Sequence, residues 1–260
     1  MNCIYYRVGR VPIAITSYGK TIDFIHGCLS RNENGYVCVM NMRTVTLGNK
    51  DDAYFRVTEN SLLNVPDGTP LVWCGRWWGI KDVERVCGPV LFNRMLRDHE
   101  HGFKHFFLGD TEETLAALTK KAQEIDCADV TGSYSPPFKP LEEYDLQDLA
   151  KRINDSGANI VWTSLRAPKQ DYLGELLSPL LKEGTVMIGV GAAFRAYIGE
   201  LSIVEGGVLQ KMGLGGWKML RKGSSILKEI GWYTKHSFIL MGYFILIKWR
   251  QLSGKKCFEL

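Results

Sequence analysis

Short apolar runs alternate with helical periodicity along most of this chain, separated by polar or glycine-containing breaks. Tyr36–Met40 (YVCVM) reads as a strand ending at Asn41, and Leu62–Val65 as a second ending at Pro66-Asp67-Gly68. An apolar helix is expected from Thr69. His105–Leu108 is a third strand, ending at Gly109-Asp110. After it, Asp110 and Glu113 have the spacing of an N-cap and its N3 partner for a helix through Glu124. Ile160–Trp162 is a fourth strand, with Pro168 suited to the first turn of the next helix. Val186–Ile188 is a fifth, running into Gly189-Val-Gly-Ala-Ala and a further helix. Strands this short and continuously apolar, alternating with helices, predict an α/β fold: a mostly parallel sheet with helices on both faces.

In sheets of that kind ligands bind beyond the carboxyl ends of the strands. The polar residues at those ends are Asn41, Asp67, Asp110, Arg166, Lys169 and Gln170, with the Gly189–Gly191 turn beside them. Topology alone selects this set, before any motif is consulted.

Composition narrows the class. The chain has 260 residues, 45% of them hydrophobic and 23% charged, and a mean hydropathy of −0.10. A disordered, collagen-like or polytopic membrane protein is excluded. Seven cysteines without C-x-x-C spacing argue against a disulfide framework or structural zinc and for a reducing compartment. The first twenty residues carry Arg7 and Arg10 but no long apolar core, so they do not read as a secretory signal.

The net charge of +4 conceals a segregation. Residues 207–260 hold ten Lys/Arg against Glu229 and Glu259, a net +8, which leaves −4 for residues 1–206. Such a split points to a polyanionic partner. Wound as a helix, residues 217–235 place Met219, Ile226, Ile230 and Tyr233 on one stripe, opposite Lys218, Arg221, Lys228 and Lys235. Phe238–Ile247 follows, flanked by Lys248, Trp249 and Arg250; it falls short of the roughly 20 apolar residues a membrane span needs. The tail reads either as a helix packed on the core with a solvated basic face or as a membrane-surface element. The Trp and Lys/Arg mixture fits a lipid surface better than nucleic acid.

Two polar positions carry candidate chemistry. Asp67, in V-P-D-G-T-P, is explained by turn propensity, or is a carboxylate at a strand tip placed to take a proton from a substrate hydroxyl. Arg85, in E-R-V-C-G, is a solvated surface residue or a fixed cation for a leaving diphosphate. The backbone of Gly189-Val-Gly-Ala-Ala, including Gly191 and Ala192, has the composition of a phosphate cradle or of a tight strand–helix junction; it is not G-x-G-x-x-G and lacks a P-loop lysine. Without the dinucleotide fingerprint and its acidic ribose partner, an oxidoreductase is disfavoured. No D-x-D occurs, and the five histidines form no i, i+4 pair with an intervening Glu, so no metal or cofactor is expected.

Five segments in this order resemble the WecG/TagA/CpsF glycosyltransferases, across roughly residues 20–215: N-V-P-D-G-T-P-L-V (64–72), E-R-V-C-G-P (84–89), F-F-L-G-D (106–110), A-P-K-Q-D (167–171) and I-G-V-G-A-A-F (188–194). The resemblance implies a Rossmann-like core, residues 1–206, and a basic helical appendage, residues 207–260, which closes over the site and touches the membrane. It implies an inverting, metal-independent hexosyl transfer from a UDP-sugar to a polyprenyl-diphosphate-linked sugar, performed peripherally at the cytoplasmic face of the membrane for surface polysaccharide. By the same resemblance Asp67 matches the catalytic base, Arg85 the arginine on the donor diphosphate, and Asn41 and Gln170 the pocket amides. Asp110, Lys169, Gly189, Gly191 and Ala192 join the substrate-binding set, with Arg221 and Lys222 as the nearest tail cations. The chain departs from the family pattern at Val39, where Thr is usual, at Arg195, where Asp is usual, and at Ser202–Gly207, where R-A-P-x-W is usual. Arg195 keeps a second function open, a non-catalytic subunit binding nucleotide sugar or lipid carrier; self-association is open as well.

Overall fold

The computed structural model describes residues 3–201, together with Gly242 and Phe258–Glu259. An antiparallel hairpin comes first, β1 (Tyr5–Val8) and β2 (Val11–Ala14), with β9 (Phe258–Glu259) paired along β1. Helix α1 (Tyr18–Ser30) leads into β3 (Gly35–Met40), followed by α2 (Met42–Lys50), α3 (Asp52–Asn60) and β4 (Leu63–Pro66). Helices α4 (Thr69–Trp77) and α5 (Gly88–Leu96) precede β5 (Lys104–Leu108), α6 (Glu112–Asp126) and β6 (Asp129–Tyr134). Next come α7 (Leu146–Ser156), β7 (Ile160–Thr163), α8 (Lys169–Leu177), β8 (Val186–Gly189) and α9 (Ala193–Tyr197).

Strands β3 to β8 form one sheet in the order β4-β3-β8-β7-β5-β6, and every pairing is parallel. The expected α/β architecture is therefore the one observed. All four central strands are buried on both faces apart from the leading Lys104, which is why they read as continuous apolar runs. Alternate side chains serve opposite layers. Tyr36, Cys38, Met40, Val161 and Met187 meet the hairpin and helices α2, α3, α4, α7 and α8. Val37, Val39, Ile160, Trp162 and Ile188 meet α1, α5, α6 and α9. In that second layer Phe92 of α5 lies 4.9 Å from Trp162 and 5.5 Å from Phe194, centroid to centroid. Such pairs add about 0.5–1.5 kcal/mol each beyond area burial. Trp162 is fully buried and donates from its indole Nε1 to His105 Nδ1 at 3.0 Å, so burial leaves neither polar edge unpaired.

Sequence and structure differ at three places. The N-cap of α6 is Thr111, whose hydroxyl accepts from Thr114 N–H, and not Asp110 one residue earlier; Asp110 instead adopts a left-handed φ of 64°. Strand β6 (DVTGSY) has no apolar run to announce it, because none of its residues is fully buried, unlike those of β4 at the opposite edge. The hairpin is likewise absent from the sequence expectation. The appendage over residues 207–260, Arg221 and Lys222 included, lies outside the described residues except for Gly242 and Phe258–Glu259. Among the described residues no helix is long and apolar enough to cross a membrane.

Candidate active site

The carboxyl ends of β4, β3, β8, β7 and β5 stand side by side in that order, and the predicted residues follow them. Beyond β4, the Asp67 N–H bonds the Met40 carbonyl at 2.8 Å, which sets the Asp67 turn against the end of β3. Gly68 brings its Cα close to the neighbouring tip: a Cβ there would lie 3.8 Å from the Cα of Asn41. Asp67 and Asn41 are thus adjacent.

Arg85 arrives from the segment between α4 and α5. That segment is laced to its surroundings by Glu84 N–H on the Thr16 carbonyl (2.9 Å) and Val86 N–H on the Pro66 carbonyl (2.8 Å). Cys87 N–H on the Tyr18 hydroxyl (2.9 Å) completes the lacing. Its guanidinium then reaches Asp67 twice. Nη2 donates to Oδ1 at 3.0 Å, and Nε donates to the main-chain carbonyl. The two side chains keep 28% and 26% of their surface, so the pair is accessible from solvent while fixed at its base. Burial pushes the Asp67 carboxyl above its ordinary range; Arg85 and the Cys87 thiol pull the other way without cancelling it. A carboxylate so tuned is a stronger base than an exposed aspartate.

Asn41 caps α2, accepting with Oδ1 from the N–H groups of Arg43 (2.9 Å) and Thr44 (3.2 Å). Thr44 Oγ1 returns the contact by accepting the Asn41 N–H. The cap fixes the side-chain orientation and leaves the amide NH₂ to donate elsewhere.

One strand further along, Gln170 is buried in the first turn of α8, and its Oε1 accepts the Gly191 N–H at 3.1 Å. A Cβ on Gly189 would sit 2.6 Å from Gln170 Nε2, so the amide lies flat on a backbone only glycine can offer. The N–H groups of Val190 and Ala193 bond the carbonyls of Thr163 and Val190. The glycine turn, with Gly191 at φ 56°, is therefore held from within the protein by Gln170; Ala192 follows as the N-cap of α9.

Of the other predicted residues, Arg166 is exposed at a left-handed φ of 62°, with its carbonyl accepting the Gln170 N–H at 3.0 Å, while Lys169 and Asp110 turn to other partners. Lys169 Nζ donates to the Lys139 carbonyl at 2.5 Å and to the Tyr144 hydroxyl at 3.1 Å, and lies over the Tyr144 ring. Asp110 stands four strands from Asp67, ~19 Å at roughly 4.8 Å per strand. Its carboxylate is gripped by Arg195, with Nε 3.0 Å from Oδ2 and Nη2 2.7 Å from Oδ1. That pairing holds the Asp110 carboxyl below its ordinary range against the opposing effect of burial.

The residues that sequence reasoning did not single out are Cys87 and Tyr18, which brace the pair, and Asp171 with Tyr54. Asp171 follows Gln170 and is buried beneath α8, where its Oδ2 accepts the Tyr54 hydroxyl at 2.6 Å. The one available signal was an acid on the buried stripe that also holds Leu173, Gly174 and Leu177. Among the described residues no group of three or more His, Cys, Asp or Glu side chains is arranged to hold a metal ion.

The parallel α/β sheet is Rossmann-like, and an acid–arginine pair and two ordered amides line the crevice beyond its strand tips. The model of the glycosyl transferase WecG/TagA/CpsF family matches residues 6–216, most of the chain. This protein belongs to that family.

Proposed function

We propose that the protein is an inverting, metal-independent glycosyltransferase that moves a sugar from a UDP-sugar to a polyprenyl-diphosphate-linked sugar during surface polysaccharide assembly. In this reading Asp67 takes the proton of the acceptor hydroxyl as that oxygen bonds to the anomeric carbon. The bond from that carbon to the UDP oxygen breaks on the opposite side, and its electron pair leaves with UDP. The proton on Asp67 passes to solvent after release. Arg85 stabilises the departing diphosphate, which is a task for a fixed cation in a partly desolvated site. Asn41 and the Gln170-braced turn hold the donor.

The observation that carries the reading is the Asp67–Arg85 pair: a carboxylate of raised basicity fixed beside a guanidinium, both still open to solvent. We place the enzyme peripherally at the cytoplasmic face of the membrane, with the +8 segment 207–260, Arg221 and Lys222 included, against anionic lipid. A second reading, a non-catalytic subunit that binds nucleotide sugar or lipid carrier, draws on Arg195, which stands at the usual family aspartate and pairs with Asp110. One experiment separates them. Full-length protein is incubated with a lipid-linked acceptor and a panel of UDP-sugars, and UDP release is followed with and without chelator. Acceptor-dependent, chelator-resistant release supports the transferase. Nucleotide binding without release supports the subunit, and activity that requires added manganese overturns the metal-independent mechanism.

A further inference from the structure

Two consecutive polar side chains in the first turn of α8, Gln170 and Asp171, are both buried. Gln170 faces the β8–α9 turn as described. Asp171 faces the other way, toward β3 and α3, where it accepts the Tyr54 hydroxyl at 2.6 Å. Tyr54 is fully buried on α3, the second helix after Asn41, and its ring packs edge-on against Tyr172 at 5.6 Å. Gly174, one turn further along α8, lets the helix lie directly on Tyr36 of β3: a Cβ there would come within 2.9 Å of the ring. One acid thus ties the helix after β7 to the strand and helices that present Asn41.

Packing alone would not select an acid here. An ionisable group taken from water is destabilising unless it is compensated, and an apolar residue of similar size would fill the same space. What a carboxyl adds is direction. Its hydrogen bond to Tyr54 joins the first turn of α8 to α3 in one defined orientation.

We infer that Asp171 is a positioning residue: through Tyr54 it locks the first turn of α8, so that Gln170 holds the Gly189–Gly191 turn in the form that receives the donor nucleotide sugar. The inference rests on the transferase reading for its kinetic consequence, but its structural core is separate. Asp171 touches neither substrate nor reacting atoms in this scheme. Asp67 stands at the tip of β4, three sheet positions from β7, and is held by its own bonds to Met40 and Arg85, so loss of Asp171 is expected to act on donor binding rather than on the base.

The test uses the full chain with Asp171→Ala, Tyr54→Phe and Asp171→Asn, each measured in two ways. In kinetics, Asp171→Ala is expected to raise donor KM at least tenfold and Tyr54→Phe about threefold or more, with kcat and acceptor KM within threefold of wild type. Asp171→Asn, which still offers Tyr54 an oxygen acceptor, restores donor KM to within threefold. An unchanged donor KM in Asp171→Ala, a fall in kcat at constant donor KM, or a failure of the asparagine to rescue would each overturn the inference. If Asp171→Ala does not fold, Tyr54→Phe, which removes a single oxygen atom, carries the same test. The second measurement needs no activity: hydrogen exchange of the Gly191 amide, whose bond goes to Gln170, is expected to quicken at least tenfold in Asp171→Ala and measurably in Tyr54→Phe. Unaltered Gly191 protection overturns the positioning role. Should wild type transfer from no UDP-sugar, the functional reading fails on its own, and the exchange measurement still decides this one.

Discussion

Replacing Asp67 by Asn changes one oxygen for an NH₂ and removes one negative charge. Two consequences separate cleanly. For the fold, the carboxyl is already pushed by burial toward its neutral form, so a neutral isostere forfeits little. Arg85 retains the Asp67 main-chain carbonyl as acceptor and can take the side-chain oxygen of Asn, and about a quarter of its surface is solvated. A stability change of about 1 kcal/mol at most is expected, or roughly 2–4 °C in Tm for a chain of this size. For the chemistry, Asn cannot accept the acceptor's proton. General-base catalysis is typically worth about 10²–10⁴-fold, which at 1.36 kcal/mol per decade is roughly 3–5 kcal/mol of barrier. The assay is initial-rate UDP release at saturating lipid-linked acceptor, with Tm followed by circular dichroism on the same preparation. The wild-type rate should climb with pH as Asp67 deprotonates, on a limb displaced above the ordinary aspartate range, and the variant should lack that limb. Turnover within threefold of wild type would remove Asp67 from the role of base. A Tm lower by 10 °C or more would show that the pair is a structural brace and that the energetic argument is wrong.

Other consequences are checked as directly. Arg85→Ala removes the cation that opposes burial at Asp67, so the acidic limb of the rate profile moves to higher pH while kcat falls; a limb that stays in place or moves down contradicts the pairing. Gly189→Ala puts a methyl 2.6 Å from Gln170 Nε2 and should cost about 1–3 kcal/mol, read as a Tm lower by several degrees, together with weaker donor binding. Asp171 and His105 titrate oppositely on folding. Burial raises Asp171 from 3.8 to about 7, so its contribution falls as pH rises through that window, whereas burial lowers His105 from 6.5 to about 4, so its contribution falls as pH drops through nearly the same range. Asp171→Asn leaves only the histidine, and the Tm of the variant should decline between pH 6.5 and 4.5 more steeply than that of wild type. Removing residues 207–260 should abolish co-sedimentation with anionic but not neutral vesicles, and unchanged sedimentation refutes the membrane role of the tail.

The parallel sheet was legible because burial on both faces forces a strand to be apolar at every position, and Tyr36–Met40 and Val186–Ile188 carry that mark without interruption. Where burial is incomplete the mark fades. Strand β6 pairs with β5 only and none of its residues is fully buried, so its side chains obey no pattern, and DVTGSY looks like a loop. The misplaced cap of α6 has another origin, a partner distant in sequence. Asp110 and Thr111 are both good capping residues, and the choice fell to Thr111 because Arg195, 85 positions away, claims the Asp110 carboxylate.

The candidate site divides along the same line. Asn41 and Asp67 follow from topology, since any polar residue just past a buried strand faces the crevice, and their adjacency needs only the β3–β4 register. Partner choice does not follow, because a hydrogen bond between Arg85 and Asp67, or between Tyr54 and Asp171 across 117 positions, leaves no periodic trace. Lys169 and Gln170 show how sharp the limit is. They are neighbours at a strand tip and equally plausible as ligand contacts, yet a rotation of 100° along the helix sends one to Tyr144 and the other to Gly191. Sequence therefore locates the rim of such a site, whereas the tertiary packing of α8 decides which rim residues point inward, and Asp171 is the one acid among the buried residues of that helix.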